Sequence, residues 1–529
     1  MKSYYKYLES SGVSKPLSAP VRKPVFRSSA VFPVLQHSEC STRISFMGYW
    51  LLKREIKEIA LLTTLRGQKG EILRRDTFTI SSSKAFSIEL KNLLKESGWE
   101  EENFCGSLEL EIFSTQNLVF PYPAFVLSFY REGEFNTAVH TTGRIYNDVE
   151  DWKENDETQV PESGFDIYAD PDLSSFIALT NGPLAETAPA IFYTVVSESG
   201  KRSEGSFKLP DLAPYETIFV HLKEYLPLAE MLDDKPGAIK LRHAFKGFFP
   251  RFLAGNFQDS FPAVSITHTY YDCTQAEKDS DYWKRTDSRF HDAGMFIPLF
   301  LEGDFYTELI FYPIYSPSLL SVSLFCYDAH GLLVQSLPDY KKIATRKEGF
   351  EKIRLKDLAV EHGWAAKKIQ SLRLVLNAVE GHRFPTRIKM GLNVGIKNRK
   401  AKLPCNICFN AQPGDPQVEA KTRAFRWAPF LNNGSSVVVL SNFSPLKEYD
   451  KPAEVEVKFF READSEIIER RLTLPPFGQL RINAAEDVEL KNFFQGRPGW
   501  MTAVSSNPYL WAWYFDFHET GSVAGDHCF

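Results

Sequence analysis

The sequence predicts a mostly β chain made by tandem duplication of a unit of two antiparallel β-sandwich subunits, with a short helix in each first subunit. Three observations predict it: a long-range internal repeat, short strands with period-2 alternation, and an aromatic-rich composition. The 42 Phe and 22 Tyr among 529 residues favour pleated, half-buried surfaces over helices.

The repeat comes first, because a missed repeat misassigns a fold. Glu89–Trp99 (ELKNLLKESGW) matches Arg354–Trp364 (RLKDLAVEHGW) without gaps, six identities in eleven, at an offset of 354 − 89 = 265. Ser107-Leu108 and Phe120-Pro121 meet Ser371-Leu372 and Phe384-Pro385 at 264. SSFIALTN (Ser174 to Asn181) meets SSVVVLSN (Ser435 to Asn442) at 261, and Leu209-Pro210 meets Leu474-Pro475 at 265. Residues 25–285 are therefore expected to superpose on 290–529.

Within each unit, AEVEVKFF places Val455, Val457 and Phe459 on one face and Glu454, Glu456 and Lys458 on the other, as a half-buried strand requires. SLELEIF (Ser107 to Phe113) and SLRLVLN (Ser371 to Asn377) read as matching strands. Leu90, Leu93 and Leu94 recur at helical spacing before Gly98, which stops the helix. The expected division is a basic arm at 1–24, sandwiches at 25–160 and 163–285, and their repeats at 290–415 and 424–529. Polar, turn-rich stretches at Asp148–Ser163, Glu277–Ser288 and Ala411–Thr422 mark the boundaries.

A net charge of −5 and a pI near 6.2 give no overall field for a phosphate backbone, so nucleic acid is excluded as a partner. Residues 1–28 are locally basic, six Lys and Arg against Glu9, and read as a solvated arm or an anionic docking site. No apolar run reaches bilayer length and no signal-peptide core opens the chain, so the expected location is cytoplasmic, with no membrane span. Seven sparse Cys agree with a reducing compartment.

The segments SSVVVLSN, PAEVEVKFF and LPPFGQLRI resemble small bacterial β-sandwich modules of the sensory-rhodopsin-transducer and jelly-roll carbohydrate-binding kind. The resemblance implies the fold, and hints at carbohydrate binding with no residue carried over.

Walker, dinucleotide, G-x-S-x-G and H-E-x-x-H strings are absent. Cys405 and Cys408 form a lone C-x-x-C with only His382 as a loose further ligand, and read as ordinary reduced thiols. Three subunits close on a strand running into His and then a hydroxyl residue: His140 before Thr141, His268 before Thr269, and His518 two before Thr520. His268 with Asp272, and His518 with Asp516, Asp526 and His527, are candidate ligand or metal groups, because imidazole and carboxylate bind metals and pair as general bases. A rim histidine bonded to backbone is the structural alternative. Tyr509, Trp511, Trp513, Phe515 and Phe517 share a strand face, which reads as core or, with Trp427 and Trp500, as a platform for sugar rings.

The expected function is nonenzymatic binding or assembly, with a glycan or protein partner and two related surfaces; a polysaccharide-pathway accessory is the finer form. The alternatives are a metal-dependent enzyme using the strand-end His and Asp clusters, and a structural subunit pairing through sheet edges. No cofactor is required by the sequence; a divalent metal and a homo-oligomer are left open.

Overall fold

In the computed structural model the chain is described over residues 25–119, 123–140, 143–146, 162–249, 251–271, 283–284, 287–312, 319–344, 349–379, 384–385 and 388–529. The basic arm, Asp272 and His382 lie outside these residues, as do most of the first two polar boundaries.

The first sandwich contains strands Phe26–Gln36, Ser41–Met47, Ile59–Gly67, Ile72–Ile80, Ala85–Glu89, Phe104–Ser114 and Val126–Arg131, with an eighth strand broken into Phe135–Asn136 and Val139–His140. One sheet runs first, sixth, third, fourth; the other runs fifth, second, seventh, eighth. Three more sandwiches, opening on strands Glu162–Ile167, Ala293–Pro298 and Ala424–Phe430, repeat that order strand for strand. The second adds Tyr270–Tyr271 at one edge. All described pairings are antiparallel.

The expected duplication is present, and the repetition goes one level deeper. Each of the four sandwiches, and not only the first of each unit, has a helical segment between its fifth and sixth strands: Leu90–Ser97, Leu222–Glu224 continuing to Leu228–Leu232, Leu355–Glu361, and Val488–Phe494. Each carries a Leu-Lys pair in its first turn, at Leu90, Leu222, Leu355 and Leu490, and all four leucines are buried. Their spacings are 222 − 90 = 132, 355 − 222 = 133 and 490 − 355 = 135. The helix ends of the first and third copies correspond as well: Trp99 N–H donates to the Leu94 carbonyl and Trp364 N–H to that of Ala359. Trp364 is buried and Trp99 half-buried.

Alternation governs which faces meet. In Ala453–Arg461 the apolar positions are buried while Glu454 is exposed. Fourth strands lie at sheet edges and are polar, Ile467–Leu474 exposing Glu469, Arg471 and Thr473. Such charges block edge-to-edge pairing, which argues against assembly through these edges.

Neighbouring sandwiches share cores. Residues of the first and fourth form one continuous cluster, where Tyr49 stacks on Trp427 at 4.6 Å between ring centres. Residues of the third and fourth form another, where Phe300 meets Phe515 edge-on at 5.0 Å. The first–second and third–fourth contacts are built alike: Thr217 N–H donates to the Gln68 carbonyl, and Gln479 N–H to that of Ala329.

Candidate functional site

The eighth strand is an edge of its sheet, and an uncovered edge offers unpaired backbone groups. Here the four eighth strands cover one another around a cavity of about 300 Å³. All four sandwiches line it: His140 from the first, His268 from the second, Cys408 from the third, and His527 and Trp511 from the fourth.

His140 ends its strand, and so do His268 (Ala263–His268) and His527 (Val523–His527). Register makes the last two equivalent, since His268 faces Leu253 and His527 faces Trp513 at matching points of their seventh strands. The rings gather edge to face, His140 lying 4.7 Å from His268 and 4.6 Å from His527 between centres. The buried Asp526 carboxylate accepts from the His140 backbone N–H at 3.1 Å and faces its Nδ1 at 2.7 Å. Its other oxygen accepts from the His527 backbone N–H at 2.7 Å and lies 4.0 Å from His527 Nε2.

These contacts fix the proton positions. A carbonyl oxygen only accepts, so His268 Nδ1–H donates to Thr269 at 3.0 Å and His527 Nδ1–H to Cys528 at 3.2 Å. His527 therefore keeps a lone pair on Nε2. Burial pushes His268 well below the ordinary histidine range, helped by Arg251 and His140, and burial also lowers His527. Burial works to raise the Asp526 carboxyl, but the charge and hydrogen bond of His140 outweigh it and hold the group below its ordinary value.

The expected residues distribute differently from their order in the sequence. His518 does not follow a last strand: it follows the seventh strand, Leu510–Phe517, and a further strand comes after it. It does sit beside Asp516, Nε2 to Oδ2 at 3.2 Å, but both are buried. Asp516 is engaged by Ser436 Oγ at 2.6 Å, Gly434 N–H at 2.9 Å and Asn136 Nδ2 at 3.2 Å, so the pair ties the fourth sandwich to the first. Asp526 is paired across from Tyr514, four residues from His518 and so about 13 Å along the strand. The grouping of His518 with Asp526 and His527 is thus replaced by His140, Asp526 and His527. The Asp272 partner expected for His268 lies outside the described residues.

The aromatic face splits in the same way. Trp513, Phe515 and Phe517 pack against the third sandwich, and Trp427 and Trp500 are buried, so they make core and no sugar platform. Trp511 alone is half-buried at the cavity wall, its Nε1–H on the Phe443 carbonyl at 3.0 Å. Cys405 and Cys408 lie buried in the strand Cys405–Ala411, burial raising the Cys405 thiol to about 12. Cys408 Sγ lies 3.2 Å from Thr267 Oγ1, a contact between sandwiches.

Adjoining the cavity is a cleft of about 1030 Å³ that shares Gln412, Arg426 and Trp511 with it. Its walls hold five cationic side chains, Lys53, Arg54, Lys421, Arg423 and Arg426, against two carboxylates, Asp287 and Asp415. Both carboxylates are engaged, Asp287 with Arg289 at 3.1 Å and Asp415 as the N-cap of helix Pro416–Glu419. Lys53 Nζ sits 4.3 Å over Trp427. Burial draws its amine down to about 8, with further lowering from Arg426, Arg54 and Lys421. The one advance signal of this cleft was the cluster of bases in KTRAFRW, Lys421, Arg423 and Arg426, which fell within and beside an expected linker.

No protein-family model matches the chain, and the comparison with curated proteins gave no match. Among solved structures it is similar to a tetra-tandem repeat in the extending region of a large adhesion protein, with 6% identity, 89% of this chain and 90% of that one covered, and a TM-score of 0.09. A second is the BSP domain of a biofilm-associated protein, with 12% identity, 73% and 82% covered, and a TM-score of 0.16. A calcium-binding mutant of Bacteroides uniformis beta-glucuronidase 2 gives 11%, 56% and 30%, and 0.12. TM-scores this low carry no argument about fold or activity.

Proposed function

We propose that this chain is a nonenzymatic binding protein whose central cleft takes an acidic ligand, an acidic oligosaccharide in its finer form. The observation that supports the reading is the charge imbalance of the cleft, five cations to two engaged carboxylates, in a chain whose net charge is −5. Holding like charges together lowers stability unless an anion offsets them, and a low-dielectric cleft concentrates such a field. The half-buried Trp511 ring at the inner end supplies an apolar face against which a sugar ring can stack.

The test is titration calorimetry with matched neutral, uronate-bearing and sulfated oligosaccharides at two salt concentrations. Binding of the acidic set alone, weakened by salt and by the double variant Lys421→Ala/Arg423→Ala, is the expected result. Equal binding of neutral and acidic sugars, or no binding of either charged set, would sink the proposal.

A further inference from the structure

The His140, Asp526 and His527 group is not needed by the cleft reading and has its own chemistry. We propose that it is a divalent transition-metal site. One ring nitrogen of each of His140 and His527 and one Asp526 oxygen lie within 4.8 Å of one another. Tetrahedral coordination at zinc distances sets such atoms about 3.3 Å apart, so side-chain movements of roughly an ångström close the set. His527 is oriented for this, because its Nδ1–H is held by the Cys528 carbonyl and its Nε2 lone pair is left for a metal.

The donor set selects the ion. Two imidazoles with one carboxylate suit zinc or another late first-row metal over calcium or magnesium, which prefer oxygen. The first and fourth sandwiches would each contribute ligands, so binding would join strand ends that belong to different repeats.

The experiment uses tag-free, chelator-treated full-length protein titrated with zinc(II) alone, followed by calorimetry and by elemental analysis after gel filtration. One retained equivalent is expected, together with a higher melting temperature for the loaded protein. Asp526→Asn and His527→Gln, each checked for a wild-type circular dichroism spectrum, should weaken zinc binding at least tenfold. Cys105→Ser, a thiol that does not line the cavity, should leave it unchanged. No stoichiometric zinc in the wild type overturns the proposal, as does retention of full affinity by Asp526→Asn and His527→Gln. Should one of these two fail to fold, the other decides.

Discussion

Lys53 shows how one residue records an unmet demand for negative charge. It ends the helix Tyr49–Lys53, its ammonium lies over the Trp427 ring, and four cationic neighbours share its cleft. A lysine whose amine titrates near 8 when folded and near its ordinary 10.5 when unfolded binds its proton less tightly in the native state. Its charge therefore lowers the stability of the ligand-free protein below pH 8, and stability should rise between pH 8 and 10.5 as only the unfolded chain stays protonated. Lys53→Met should raise the melting temperature of the free protein at pH 7, with the gain shrinking above pH 8. It should also weaken an acidic ligand by about fivefold. Thermal melts and calorimetry at pH 7 and pH 9 check both halves, and a lower melting temperature at pH 7 would contradict the assignment of an uncompensated charge.

At the scale of elements, the contact between the first and second sandwiches recurs between the third and fourth, and glycine makes the approach possible. Gly70 and Gly331 occupy hairpin turns with φ of +90° and +79°, and a Cβ built on either would stand 2.2 Å from the Pro214 carbonyl or 2.0 Å from that of Pro476. The turns they meet also correspond, with Tyr215 and Phe477 both at positive φ. Gly331→Ala combines left-handed strain with overpacking against backbone, so a loss of about 2–4 kcal/mol is expected in denaturant unfolding, and Gly70→Ala should cost a similar amount. Most of this architecture was legible beforehand, because strand alternation and the 265-residue offset both come from core packing that duplication preserves. The fourfold level was harder to see. Glu89–Asn92 and Glu489–Asn492 are both ELKN, but the second sandwich keeps only Leu222-Lys223 of that string, since a single buried leucine is all the helix start requires. The site was half legible: His140, His268, Asp526 and His527 stood out by type and position at strand ends. Their grouping depends on contacts across as many as 386 residues, and no local period encodes those.

For the whole molecule, duplication suggests two units that fold alone, and the packing argues otherwise. The largest apolar cluster joins Phe32, Phe46 and Trp50 of the first sandwich to Trp427, Phe459 and Trp500 of the fourth. Cutting the chain between residues 286 and 287 would expose that surface on both halves, and would also divide the cavity wall and separate His140 from Asp526. Apolar burial scales at about 25 cal/mol per Å², so an interface of domain-core character is not readily left in water. Residues 1–286 and 287–529 expressed apart should each aggregate or melt without cooperativity, whereas co-expressed halves should form a 1:1 complex with one cooperative transition. Size-exclusion chromatography with light scattering and calorimetric melting would read this directly. Two separately folded, monomeric halves with sharp transitions would show that the ring of four sandwiches is a loose association, and a cavity walled by all four would then lose its structural basis.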